Sequence, residues 1–143
     1  MADGASLAEG SAPISGPDGY VEHVSPHGFD ETLARLEHAI EHAGLTIFAR
    51  IDHSGAARDV GLTMPPTIVL IYGNPRGGTP IMLAAPRAAL DLPLRILVRE
   101  GGDGRVLVGF HPIVVVMLAA GVTEELAMRL VPAQAKLVEA ALA

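Results

Sequence analysis

No cysteine and no tryptophan occur in the chain, and lysine occurs once, at Lys136. Without thiols there is no disulfide, no cysteine nucleophile, no thiolate zinc site and no cysteine-held iron–sulfur cluster. Two Tyr and three Phe do not make the row of rings on which single-stranded nucleic acid stacks. The lack of lysine and a net charge of −6 leave no basic stripe for a phosphate backbone or an anionic membrane surface. No nucleic-acid partner and no membrane partner are therefore expected. A long unbroken apolar run is missing too. Val106 to Val122 is interrupted by Gly109, His111 and Pro112, which suits a buried strand followed by a helix better than a membrane span.

The opening residues, MADGASLAEGSAPISGPDG, have neither a basic start nor an apolar stretch and do not read as a secretory leader. Their small polar residues predict a disordered tail over residues 1–18. Residues 19–143 are expected to form one domain, long enough to bury a sizeable core. The absence of cysteine agrees with a cytoplasmic setting.

What the chain does have is aliphatic residues, and these supply the core. Ile68 to Tyr72 is a continuous apolar run, as expected of a strand central to its sheet. Gly73-Asn74-Pro75 stops it, because proline lacks an N–H and pushes Asn74 out of helical dihedrals. Thr79-Pro80 reads as an N-cap followed by proline at the first helical position, opening a short helix over 81–90. Asp91-Leu92-Pro93 is a second stop before a strand in which Leu94, Ile96 and Val98 oppose Arg95 and Arg99. The turn from Gly73 to Thr79, with free amides and Arg76, is a candidate anion site. It lacks the Walker ending and is not a dinucleotide fingerprint, so a plain solvated turn is the competing reading.

Elsewhere, Tyr20 to Val24 predicts a first strand. Phe29, Leu33, Leu36, Ile40 and Ala43 fall on one face of a helix that ends at Gly44. Thr46 to Asp52 predicts a second strand and 54–62 a short helix. Asp103-Gly104 predicts a hairpin leading to a fifth strand over 105–110. Thr123 reads as an N-cap for a last helix that Pro132 kinks or splits. The fold class is α+β: an open, mostly antiparallel sheet of about five strands with helices packed on one face, in the order β-α-β-β-(short α)-β-β-α.

Three motifs carry a family resemblance: Phe48-Ala49-Arg50-Ile51-Asp52-His53-Ser54; Tyr72-Gly73-Asn74-Pro75 with Gly78-Thr79-Pro80; and Leu90-Asp91-Leu92-Pro93-Leu94-Arg95. Together, and over roughly residues 20–142, the chain resembles the bacterial and archaeal domain-of-unknown-function 302 family. The resemblance implies a curved, TBP-like sheet gripping helices, frequent dimerisation, and no established activity or catalytic residue. The chain departs from that pattern at Phe110-His111-Pro112, where relatives often carry an aromatic and an aspartate-proline.

The motifs place Asp52, His53, Tyr72, Asn74, Asp91, Arg95 and His111 at strand ends. The candidate ligand-binding residues are His53, Tyr72, Asn74, Arg76, Thr79, Arg95 and His111. Phe48, Tyr72, Met82, Phe110 and Met117 are candidate pocket lining, all of them equally at home in an ordinary core. No metal site is predicted, since His38 and His42 lie on a solvated helix face and supply fewer than the three or four ligands zinc takes. His23 and His27 flank a turn, with no spacing that joins them to the others. No Gly-x-Ser-x-Gly elbow is present, and neighbouring His53 and Ser54 point apart on an extended chain. The reading is a small-ligand domain of sensor or carrier type, as a homodimer, with the cofactor unknown and no catalysis assigned. A histidine-ligated metal or haem redox protein and a structural homodimerisation module are the alternatives.

Overall fold

A computed structural model describes residues 12–16 and 18–143 of the chain. The elements run β1 (Ile14–Ser15), β2 (Val21–Val24), α1 (Phe29–His42), β3 (Thr46–Asp52), α2 (His53–Asp59), β4 (Thr67–Gly73) and α3 (Pro75–Ala84). A 3-10 turn over Pro86–Leu90 leads to β5 (Leu94–Glu100), β6 (Val106–Phe110), α4 (Ile113–Ala119), α5 (Glu124–Met128) and α6 (Val131–Leu142). The fold is α+β, with one open antiparallel sheet of six strands in the order β1-β2-β6-β5-β4-β3. One strand exceeds the expectation of five: Ile14–Ser15 pairs with Val21 and Glu22. The tail expected over 1–18 otherwise falls mostly on residues 1–11 and 17, outside the described residues.

Side chains alternate along β4, and Ile68, Leu70 and Tyr72 are the buried set. With Ile96 and Val98 of β5 and Val106 and Val108 of β6, they form the floor of the main core. The roof is Leu33, Leu36 and Ile40 of α1 and Leu137, Val138 and Ala141 of α6. Each residue falls on the helical period that turns one stripe toward the sheet. Burying one such leucine contributes about 2–3 kcal/mol. A second, smaller core joins Ile81, Ala88, Ile113, Met117, Ala120, Val122 and Ala127, uniting α3, α4, α5 and the 3-10 turn.

Local chemistry sets the boundaries. Gly28 gives α1 no side-chain cap; Asp30 and Glu31 stand in its first turn instead, complementing the dipole. Gly44, at φ 78°, ends α1 in the left-handed region. The helix after β4 starts earlier than expected. Asn74, not Thr79, caps it: the Asn74 Oδ1 accepts from the Arg76 amide at 3.0 Å, and Pro75 occupies the first turn. Pro80 therefore lies inside the helix. The Pro132 expectation resolves as a split, because α6 begins at Val131 with that proline in its first turn.

On the sheet face away from α1 and α6, Arg99 grips Glu22 in a bidentate pair, Nε to Oε2 at 2.8 Å and Nη2 to Oε1 at 2.9 Å. The Tyr20 hydroxyl donates to the same carboxylate at 2.7 Å. Tyr20 lies so close over Gly109 that a methyl group there would overlap its hydroxyl. Glycine at 109 is thus a matter of space.

The hydrogen bonds from Arg99, and then from Tyr20, outweigh burial and hold the Glu22 carboxyl below its ordinary value of 4.5. A carboxylate whose pKa is lowered by folding stabilises the fold above its unfolded pKa and loses that contribution as pH falls through the folded one. Glu22→Gln is expected to cost about 1–3 kcal/mol in urea denaturation at neutral pH. The variant should also lose less stability than the parent when the titration is repeated below pH about 4.5. Equal acid sensitivity in the two proteins would count against this role for Glu22.

Candidate functional site

The antiparallel register decides which motifs meet. Tyr72 stands opposite Leu94, and Gly73 opposite Thr46, so the end of β4, the start of β5 and the start of β3 share one rim of the sheet. The end of β6, where Phe110 leads to His111, lies at the same rim. Asp52, by contrast, pairs with Ile68 at the start of β4. His53 is exposed and lies about 17 Å away along the strand, at some 3.4 Å per residue. It does not join the other site residues. Its motif is structural: Asp52 accepts from the Gly55 amide at 2.8 Å and from the Ser54 hydroxyl at 2.8 Å. The Ser54 oxygen in turn accepts the Thr67 amide at 3.1 Å, fastening α2 to β4. Hydrogen bonding from Gly55 leads the causes that hold Asp52 below the usual carboxylate range.

A cavity of about 200 Å³ opens at the shared rim. Its floor is Tyr72 and Gly73, with Phe48 and Leu45 at one side and Leu92, Pro93 and Leu94 at the other. Helix α3 contributes Gly77, Gly78, Thr79 and Met82, with Asn74 at its cap, and the start of α6 contributes Ala133 and Gln134 beneath Leu130. Phe48 reaches this position because the β3–β4 register shifts between Ile47 and Ala49, a bulge that takes Phe48 out of alternation. Gly78 leaves room: a Cβ there would sit 3.9 Å from Leu92 and Met82, with the cavity beyond.

The wall is mainly apolar, and its polar side chains are Tyr72, Asn74, Thr79 and Gln134. Tyr72 is 1% exposed, and its hydroxyl finds no hydrogen-bond partner among the described residues. Burial pushes the phenol up to about 12, while the Gln134 side chain, which approaches as a hydrogen-bond partner without reaching hydrogen-bonding geometry, pulls the other way. Gln134 is engaged by the turn after β6: its Oε1 accepts the Ile113 amide at 3.1 Å and one Nε2 N–H donates to the His111 carbonyl at 3.4 Å, leaving its second N–H unused among the described residues. A buried hydroxyl without a partner costs more than one bonded to water.

A second, more polar cleft of about 350 Å³ adjoins the first, with Leu94 and Gln134 on the wall of both. Asp91, Arg95 and His111 line it, with Leu90 and Val116. Arg95 makes no ion pair or side-chain hydrogen bond among the described residues. The His111 ring rests against Tyr20 edge-on, centroids 5.5 Å apart, with its Nδ1 3.9 Å from Asp18.

The expected site residues therefore divide. Tyr72, Asn74 and Thr79 line the apolar cavity, and Arg95 and His111 the polar cleft. Arg76 is exposed and lines neither. Its amide is taken by the Asn74 side chain and that of Gly77 by the Asn74 carbonyl, so the turn does not offer the free amides an anion needs. Phe48 and Met82 line the cavity as expected, whereas Phe110 stacks on His23 at 6.0 Å and Met117 is fully buried in the second core. Among the described residues no three His, Cys, Asp or Glu side chains are placed to hold a metal together. His38 and His42 stack on each other, 5.7 Å apart. Gln134 was missed, although the signal was present: it falls in step with Leu130, Leu137 and Ala141 on the core stripe of α6, a polar residue where an apolar one belongs.

Comparison with known proteins places this geometry in context. The family model DUF302, a domain of unknown function, matches residues 21–142. A crystal structure of an uncharacterised conserved DUF302 protein from Bacillus stearothermophilus superposes with a TM-score of 0.78 at 17% identity, covering 86% of this chain and 98% of that one. At that identity the likeness shows the fold. The fluoride-specific ion channel FluC 1 of Brucella suis is 40% identical over 88 residues, which is 62% of this chain and 35% of that protein. FluC 1 of Brucella abortus and FluC 2 of Brucella melitensis are 40% identical over the same length, 33% of each. The chain spans about a third of the length of these curated relatives. No helix among the described residues is long and apolar enough to cross a membrane.

Tyr72→Phe isolates the orphan hydroxyl. In ligand-free protein the change is expected to leave stability unaltered or raise it by up to about 1 kcal/mol, since it removes a buried polar group that has no partner. A loss beyond about 2 kcal/mol in thermal or urea unfolding would show that the hydroxyl is bonded after all.

Proposed function

The chain belongs to the DUF302 family, and from that premise we propose that it binds a small, mainly apolar molecule in the cavity between α3, the start of α6 and the rim of the sheet. The observation that carries this reading is the Tyr72 hydroxyl, buried without a hydrogen-bond partner among the described residues at the floor of a mainly apolar cavity. Binding sites combine apolar walls with a few placed polar groups that orient the ligand. A ligand atom able to accept or donate one hydrogen bond would relieve Tyr72 while its body replaces solvent against Phe48, Met82 and Leu92. At about 200 Å³ the space lies below the 300–1,000 Å³ usual for drug-sized ligands, so the ligand is small.

The role is that of a sensor or carrier in the cytoplasm rather than of an enzyme. No nucleophile paired with a base borders the cavity, and the one titratable side chain on its wall, Tyr72, is held neutral. A homodimer belongs to the same reading. Val69, Ile71 and Leu97 are only half-buried on the sheet face away from the helices, and Ile51 on the edge strand is exposed. A second copy covering that face would remove them from water.

Native mass spectrometry of freshly purified protein tests both statements. A dimer is expected, carrying a retained mass that is released on denaturation. Gly78→Leu fills the cavity from α3 with a residue that favours the helix, so it should abolish the adduct while leaving the melting temperature unchanged or higher. An adduct that survives this substitution would place the ligand elsewhere.

A second reading rests on the Brucella relatives, in which a matching stretch makes up a third of proteins named as fluoride-specific channels. On that reading the domain senses fluoride for such a channel. Sodium fluoride should then raise the melting temperature relative to sodium chloride at equal ionic strength, because a ligand that binds only the folded state stabilises it. Identical melting curves in the two salts would remove fluoride from consideration as the ligand.

A further inference from the structure

The apolar cavity and the polar cleft adjoin, with two wall residues, Leu94 and Gln134, in common. We infer that the two form one amphipathic site, and that its ligand is a small monocarboxylate whose apolar body occupies the cavity and whose carboxylate pairs with Arg95 in the cleft. This rests on the cavity being a ligand site, as proposed above, and adds the chemical class of the ligand.

Three features argue for it. Arg95 is the cleft's fixed positive charge; like Arg58, Arg76, Arg87 and Arg129 it has no ion pair or side-chain hydrogen bond among the described residues, and of these arginines it is the one that lines the cleft, whereas Arg35, Arg50, Arg99 and Arg105 each hold a carboxylate. A guanidinium offers paired N–H groups that match a carboxylate in two-pronged geometry. His111 stands on the same wall and adds a ring N–H donor, while Asp18 and Asp91 are the acidic groups near these two side chains. Asp91 limits what the cleft accepts. A singly charged carboxylate can sit on Arg95 and His111, whereas a doubly charged phosphate would bring more negative charge against Asp91 than two donors offset.

The register places the two halves side by side at the rim. Leu94 and Arg95 are consecutive on β5 and point to opposite faces of the sheet, so the strand start presents an apolar side chain to the cavity and a cation to the cleft. Because both stand at the rim-side start of β5, a ligand that turns round the rim past Leu94 reaches Arg95. Gln134, buried at 7% exposure, borders the same passage with its amide. The cavity is little larger than the roughly 150 Å³ voids that take up benzene, so an apolar body of about five or six carbons fits.

Hexanoate and 1-hexanol are the probes, titrated into the intact protein and followed by amide NMR shifts. Hexanoate is expected to shift residues of both halves, Gly77 and Gly78 as well as Arg95 and His111, and to bind roughly tenfold more tightly than hexanol. Arg95→Gln should weaken hexanoate by about tenfold and leave hexanol unchanged. Gly78→Leu should weaken both probes. If hexanol binds as well as hexanoate and Arg95→Gln changes neither, the carboxylate assignment is overturned while the apolar site stands. If neither probe shifts the cavity residues, both the site and its ligand class are refuted.

Discussion

The pairing of Tyr72 with Leu94 is the constraint on which the rest of the architecture depends. β4 and β5 are the inner strands between β3 and β6, and their register fixes where two proline-bearing breaks fall. Gly73-Asn74-Pro75 ends one strand, and Leu92-Pro93 precedes the other. Because the strands run antiparallel, the two breaks lie side by side instead of at opposite ends of the sheet. A shift of one residue would send Tyr72 and Leu94 to the far face, emptying the main core of its largest buried side chain. The hydrophobic pattern that makes the core and the placement that makes the cavity are thus one requirement.

The cavity lies where two cores fail to merge. Leu94 packs against both the sheet-and-helix core and the smaller core of α3, α4 and α5. α3 is held to the sheet through Asn74 and the residues around Ile81, while its glycine pair faces the gap without side chains to fill it. A denser solution was available to the same backbone, since Gly78 has ordinary contact distances beyond its Cα. A helix interior with two adjacent glycines gives up about 1 kcal/mol for each relative to alanine. That loss has no counterpart in packing, which is why the gap reads as a site.

Much of this was legible in the chain. The β3 limits, Thr46 to Asp52, and the apolar stripe of α1 follow from period alone, and the hairpin at Asp103-Gly104 follows from turn chemistry. Tyr72, Asn74, Thr79, Arg95 and His111 could be named because each stands next to a strand break, where side chains leave the ladder. What could not be read was which breaks meet. His53 sits beside a break as well, yet at the other end of its strand, and only the pairing of Asp52 with Ile68 separates it from the rest. The start of α3 was misplaced for a local reason. Thr79-Pro80 has the form of a cap, but Asn74-Pro75 has it too, and the earlier one nucleates the helix.

The polar chemistry divides along the same lines. On the open face of the sheet, Glu22 has every carboxylate oxygen engaged by Arg99 or Tyr20. That network is complete, and a complete buried network serves rigidity. At the rim, the opposite holds: among the described residues Tyr72 has no hydrogen-bond partner and Arg95 has no counter-ion. Evolution can satisfy a phenol by a single substitution or remove it by another, and either would raise stability. A fold that closes its hydrogen bonds on one face and leaves them open beside a cavity keeps its most complete polar network away from that cavity. On the proposed reading, a ligand at the rim would exchange without loosening the sheet that positions it.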